Sequence, residues 1–387
     1  MRTLNFAVIG GGFMGKAYSI ALANLPMYVW PCPAIPVRVL VAEATAELAE
    51  DARQRFGFER ATADWRQAVN DPGIDVVVVL TPNHMHHEMV LEAINAGKHV
   101  ICEKPLAPKP ADAVEMLEAA EQAGVVHQVG FNWRLTPAVQ QAKRMIDDGT
   151  LGELRDFRGH WLGDFAFDDS LPMLWRFKRA TAGSGALGDL GSHVVDFARC
   201  LVGEIEAVSG IDATYTRTRL DADGTPDEVD VDDSTAFMAR FASGAHGFLE
   251  ASWAAPGRKS FAGFELHGSQ GSLVFDWERM NELRLYDARD PGDRQGFRTI
   301  LVGPAQPGGE HFWPVAGYQI GYADTKLLQL LDFVQAVVDG HSPQTTFSDG
   351  LAAVRLEEAV IESCASGRWI SVETTSDTPR TKASQNT

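Results

Sequence analysis

The first third of the chain alternates short apolar runs with amphipathic stretches. Residues 4–9 (LNFAVI) read as a strand, a glycine cluster follows, and 16–25 read as a helix. Residues 37–42 predict a second strand and 44–56 a long amphipathic helix. Residues 76–80 (VVVVL) are unbroken apolar and mostly β-branched, the pattern of a strand buried on both faces. A helix over 86–96, a strand over 99–102, a helix over 111–123 and a strand over 125–129 continue the series. Alternation at this spacing predicts a parallel sheet with right-handed crossovers. The class is α/β, with an N-terminal Rossmann dinucleotide-binding domain over 1–130.

Beyond residue 130 the pattern changes. A helix over 137–147 ends at Asp148-Gly149. Strands with alternating polarity follow over 153–159, 208–218, 234–241, 245–252, 261–268 and 271–275, with further candidates at 281–286 and 300–302. Their glycine-containing turns predict a mostly antiparallel sheet. Helices over 323–338 and 349–364 close a C-terminal α/β domain spanning 131–373. The acidic segment 221–233 reads as a solvated loop and the proline-rich 26–36 as an inserted one. The polar tail 374–387 reads as disordered.

Composition narrows the partners. Hydrophobic residues at 45% and charged residues at 22% suit an ordinary globular chain. There are 34 basic and 52 acidic residues, a formal charge of −18. Such a surface repels phosphate backbones and anionic lipid, so neither nucleic acid nor a membrane is an expected partner. No apolar window is long enough for a membrane span, and the N-terminus lacks the pattern of a signal peptide. Cys32, Cys102, Cys200 and Cys364 are scattered without metal-ligand spacing. Free thiols in the cytoplasm, and no metal, are the expectation.

Gly10, Gly12 and Gly15 form Gly-x-Gly-x-x-Gly between a strand and a helix, enclosing Phe13 and Met14. Gly10 allows the tight turn, Gly12 lets backbone approach a pyrophosphate, and Gly15 lets helix and strand pack. The helix N-terminus then faces the phosphates. Glu43 ends the second strand, where a carboxylate binds the adenosine ribose hydroxyls and repels a 2′-phosphate. NAD is therefore expected over NADP. Thr81, Asn83 and His86 follow the third main strand and are expected to contact the cofactor, as does Glu103 at the end of the next. Lys104 beside Pro105 stands at the nicotinamide end, or is plain surface.

A second constellation runs from Gly183 through Asp189 to His193, into an apolar helix. On a helix Asp189 and His193 share a face, and a carboxylate beside an imidazole raises its pKa toward that of a general base. A cap and a satisfied core histidine fit the same residues, and Asp196 competes as the partner of His193.

Gly-x-Gly-x-x-Gly, Glu103-Lys104-Pro105 and Asp189…His193, in this order and at these distances, resemble the glucose–fructose oxidoreductase/inositol dehydrogenase/rhizopine catabolism family. Asn132-Trp133-Arg134 and Trp175-Arg176 also match, and the likeness spans roughly residues 5–372. The resemblance implies a Rossmann domain, a C-terminal domain whose open sheet forms a homo-dimer or homo-tetramer contact, and a Lys, an Asp and a His around a sugar or polyol. Catalysis then falls to Lys104, Asp189 and His193. Either His193 takes the hydroxyl proton, or Lys104 does while His193 positions. Asn132, Trp175 and Arg176 join the cofactor contacts. Trp133, Arg134, Trp161, Asp164 and Tyr322 are candidates for the substrate wall. The implied activity is NAD-dependent oxidation of a secondary hydroxyl, at C3, of a pyranose or an anhydrosugar such as levoglucosan. Inositol oxidation, a redox-cycling reaction at a glycoside, and a non-catalytic NAD sensor are the alternatives.

Overall fold

The computed structural model describes residues 2–373; the tail expected over 374–387 lies outside them. Six parallel strands form the first sheet. They are β1 (Thr3–Ile9), β2 (Ile35–Ala42), β3 (Arg60–Thr62), β4 (Val76–Val79), β5 (His99–Cys102) and β6 (His127–Val129). Their order is β3-β2-β1-β4-β5-β6. The order reverses between β1 and β4, which opens a crevice beyond their carboxyl ends. All of β4 is buried, as its unbroken valines require.

Local departures from the expected pattern have physical causes. β3 and the helix Trp65–Asn70 are too short to show a period in the sequence. The first helix runs Phe13–Tyr28 and carries Pro26 near its end, where the missing N–H costs a single intrahelical bond. The proline-rich segment after it is not a free loop, because Val29, Cys32 and Ala34 are buried.

The second sheet has nine strands. They are β7 (Leu154–Leu162), β8 (Ile205–Ala213), β11 (Ser234–Phe241), β12 (His246–Ser252), β13 (Phe261–Gly268), β14 (Gly271–Asp276), β15 (Glu282–Asp287), β16 (Arg298–Leu301) and β17 (Ile370–Ser371). Their order is β16-β15-β14-β13-β7-β12-β11-β8-β17, antiparallel throughout except where β7 meets β12. The acidic segment 221–233 is not wholly solvated. It contains half of a hairpin between β9 (Thr218–Leu220) and β10 (Pro226–Glu228), and its end dives inward. Val229, Val231, Asp232 and Asp233 are buried there.

The helix Tyr322–Asp339 returns to the first sheet. Its Leu327, Leu330, Phe333 and Val334 share a core with Phe6, Tyr18 and Leu22. Residues far beyond 130 thus complete the core of the N-terminal domain.

Candidate active site

The glycine loop meets the steric requirements of a dinucleotide cradle. Gly10 has φ +107°, and a Cβ there would lie 2.9 Å from the Leu80 carbonyl oxygen. A Cβ at Gly15 would lie 2.4 Å from the Gly10 carbonyl oxygen. At Gly12, the N-cap of the helix, a Cβ would meet nothing within 4 Å. The loop is therefore packed behind and open in front, where helix N–H groups face outward. Glu43 sits against it: Oε1 accepts from the Gly11 N–H at 2.5 Å and Oε2 from the Ala44 N–H at 3.0 Å. Phe13 is 70% exposed beside the loop and its ring lies 5.4 Å from that of Tyr322. The Tyr322 hydroxyl reaches the Met14 sulfur at 3.5 Å, so Tyr322 stands at the cofactor loop as much as at the substrate wall.

Several residues expected at the cofactor also brace the surrounding structure. The Asn83 amide donates to the Ala182 carbonyl at 2.9 Å, and Asn83 is buried. His86 is fully buried, with Nε2 2.9 Å from the Thr81 carbonyl and Nδ1 3.1 Å from that of Pro105. It ties the loop after β4 to the turn after β5, and burial holds its pKa down. The Thr81 hydroxyl faces the Met89 sulfur at 3.6 Å. Asn132 donates to the Thr325 hydroxyl at 2.6 Å. Glu103 Oε1 accepts from Lys326 Nζ at 2.5 Å and from the Tyr18 hydroxyl at 3.1 Å, while Oε2 accepts from the Lys104 N–H at 3.3 Å. Both Glu103 and Asn132 are thus engaged by the helix Tyr322–Asp339. Lys326 has no exposed side-chain surface, and no sequence motif marked it.

Lys104 and Asp189 do meet. Lys104 Nζ donates to the Asp189 carbonyl at 2.5 Å and to its carboxylate at 3.2 Å. Arg176 Nε lies 3.4 Å from the other carboxylate oxygen, and its guanidinium covers the Trp175 ring at 4.4 Å. Burial pushes the Asp189 carboxyl up, but Lys104 and Arg176 overcome this and hold it below the ordinary range. The backbone before Asp189 is fixed by Asp232, which accepts from the N–H groups of Gly185 at 2.7 Å and Leu187 at 2.8 Å. That anchor lay inside the segment read as a solvated loop.

The expected Asp189–His193 pair does not form. Leu187–Gly191 is a π-helical turn, which breaks the 3.6-residue period behind the i, i+4 argument. The Asp189 carboxylate goes to Lys104 and Arg176, and Asp196 pairs with Arg134. His193 is buried, its ring stacked 4.3 Å from that of Trp133 at 17°, and its Nδ1 has no hydrogen-bond partner. Its pKa is therefore depressed well below the usual imidazole value rather than raised. Burial is the main cause, reinforced by the charges of Lys104 and Lys326.

The residues expected at the substrate wall differ in burial and in their partners. Arg134 is buried, donating to Asp196 at 3.0 Å and to Asp349 at 3.1 Å, so it is a structural clamp. Trp133 is 2% exposed and also stacks on Trp277 at 3.9 Å. Asp164 pairs with Lys259 at 2.7 Å. Trp161, half-buried 4.3 Å from Trp133, and Tyr322 keep accessible surface.

Two family models match the chain. Residues 4–131 match "Oxidoreductase family, NAD-binding Rossmann fold" and residues 139–274 match the "GFO/IDH/MocA C-terminal domain". The chain is 46% identical to levoglucosan dehydrogenase of Pseudarthrobacter phenanthrenivorans, covering 96% of this chain and 99% of that protein. It is 28% identical to scyllo-inositol 2-dehydrogenase (NAD(+)) of Bacillus subtilis, covering 83% and 84% respectively. A solved structure of levoglucosan dehydrogenase in complex with NADH and levoglucosan superposes with TM-score 0.94 at 47% identity, covering 96% of this chain and all of that one. With an open glycine cradle at the switch point of a parallel sheet and both family models matched, this chain belongs to the glucose–fructose oxidoreductase/inositol dehydrogenase/rhizopine catabolism family of NAD-binding oxidoreductases.

Proposed function

We propose that this protein oxidises a secondary hydroxyl, at C3, of a pyranose or an anhydrosugar such as levoglucosan, with NAD as acceptor. The observation that carries the reading is Lys104. It projects from the turn after β5 at the carboxyl end of the parallel sheet, and both hydrogen bonds of its amine go to Asp189. When bound, NAD supplies the hydride acceptor. Lys104 holds the substrate hydroxyl and, in its neutral amine form, takes its proton as the hydride leaves the carbon. Asp189 fixes the Lys104 amine and leaves Arg176 beside it. His193, kept neutral by burial, hydrogen-bonds the sugar and is a poor proton acceptor. This favours Lys104 over His193 as the acid–base group. A screen of pyranoses, anhydrosugars and inositols for NADH formation tests the reading. The 28% identity to an inositol dehydrogenase favours inositol as the second reading.

Glu43 sets the cofactor preference in this reading. Its carboxylate at the glycine loop repels a 2′-phosphate. Glu43→Ser should narrow the NAD/NADP ratio of kcat/KM about tenfold, ~1.4 kcal/mol. A native protein that already prefers NADP would contradict this placement.

We further propose a cytoplasmic homo-oligomer, dimer or tetramer, assembled through the open face of the nine-stranded sheet. No helix among the described residues is long and apolar enough to cross a membrane, and all four cysteines are free. Ile211, Met238 and Phe248 stand exposed around a groove of about 910 Å³ on that face. A cluster of this kind marks a contact surface. Met238→Glu combined with Phe248→Glu should reduce the mass measured by light scattering to that of one chain; an unchanged mass would reject this face. The domain division proposed is 1–130 and 131–373, with the helix Tyr322–Asp339 serving the first.

A further inference from the structure

Against Gly188, the residue before Asp189, lies a carboxyl that the reaction above does not use. Glu357, on the helix Phe347–Ser366, is buried, and its Oε1 has no hydrogen-bond partner. The Ser184 hydroxyl, also buried, has none either. Both groups press against Gly188. A Cβ there would lie 2.4 Å from Ser184 Oγ and 3.2 Å from Glu357 Oε2. Gly188 immediately precedes the residue whose carbonyl and carboxylate hold Lys104 Nζ. A glycine at this point lets the carboxyl of Glu357 come up against the backbone that carries the Lys104 ligand.

We propose that Glu357 is a positioning residue that sets the proton affinity of Lys104 through its own charge state. The inference rests on Lys104 as the proton acceptor. As the neutral acid, Glu357 leaves Asp189 as the anion paired with Lys104. Once ionised, it adds a second negative charge behind the lysine. The amine then holds its proton more tightly and accepts the proton of the alcohol less readily. The proton lost by Glu357 goes to solvent, and no bond to substrate is involved.

The surroundings are consistent with a neutral form at pH 7. Burial raises the Glu357 pKa to about 8, opposed by the positive charge of Lys104 and reinforced by the negative charge of Asp232. Lys104 and Asp232 are the charged groups that shift it. Asp232 is held in place by the N–H groups of Gly185 and Leu187 and by the Thr235 hydroxyl at 2.8 Å. The coupling also has a thermodynamic sign. Because folding raises the pKa, the folded state holds a proton that the unfolded chain releases. Its stabilising contribution is present in full below the ordinary glutamate range and is lost as pH rises through about 8.

Glu357→Gln keeps the shape of the neutral acid and cannot ionise. Two measurements on the full chain test the proposal. In the first, ¹³Cε-labelled lysine is titrated by NMR without substrate, with the Lys104 resonance assigned by its loss in Lys104→Met. The Lys104 midpoint should fall by about one pH unit in Glu357→Gln, a tenfold loss of proton affinity. Coinciding midpoints would overturn the proposal. In the second, the kcat/KM for sugar oxidation of the wild type should drop away from that of Glu357→Gln as pH passes about 8. A ratio constant with pH, which a merely structural residue would give, overturns it. Should no sugar yield NADH, the proposed function fails while the titration alone decides the role of Glu357.

Discussion

Lys104→Ala should lower kcat by about 10²-fold or more, the scale for removing a positioned proton-transfer group. The loss should fall on kcat, because the amine takes the hydroxyl proton as the carbon bearing it loses hydride. The affinity for NAD, measured by fluorescence titration of NADH, should change little, since the glycine cradle and Glu43 stand apart from Lys104. His193→Ala should also be impaired, through lost hydrogen bonding to the sugar. The two changes act on one hydroxyl, so the double variant should lose less than the product of the single losses. Near-wild-type kcat in Lys104→Ala would remove the lysine from the chemistry.

Lys326→Met should cost about 3–5 kcal/mol of stability, the range for breaking a buried ion pair by deleting one partner. Lys326 has no exposed surface, and its amine is within hydrogen-bond distance of Glu103, Gln329 and the Gly130 carbonyl. Methionine fills much of the volume and leaves the Glu103 carboxylate buried without its cation. The same pair joins the helix Tyr322–Asp339 to the end of β5, so cooperativity should suffer as well. Adding Glu103→Gln should restore much of the loss, because no unpaired charge then remains. Urea unfolding provides the numbers. A loss below about 1 kcal/mol in Lys326→Met would mean that the pair is solvated and ordinary.

The parts of this molecule that could be read from the sequence are those whose signal is local. The valines of β4, the glycines at 10, 12 and 15, and the carboxylate at 43 each announce themselves within a few residues. What was hidden depends on distant partners. Lys326 looks like a polar position of an amphipathic helix until Glu103, Tyr18 and Gly130 surround it. Asp232 and Asp233 sit in a run of acids whose other members are solvated. One anchors the loop before Asp189, and the other accepts from the Trp253 indole N–H at 2.7 Å. His86, Asn83 and Asn132 lie in the right loops but turn inward, because buried polar groups seek backbone and hydroxyl partners before any ligand arrives. The pairing of Asp189 with His193 failed on a detail of helix geometry, a single π turn, that spacing alone does not reveal. Of the residues expected at the substrate wall, Trp133 and Arg134 are large and buried, and Arg134 clamps Asp196 and Asp349, a use that depends on distant partners.

Central to the account is a dehydrogenase that releases NADH while converting one ring hydroxyl to a ketone. The direct measurement is to incubate the protein with levoglucosan and NAD, follow NADH by absorbance, and identify the carbohydrate by NMR and mass. One NADH per molecule of the 3-ketone is expected, with slower turnover of inositols. A product oxidised at another carbon, faster turnover of an inositol than of any pyranose, or product formed without net NADH would contradict it.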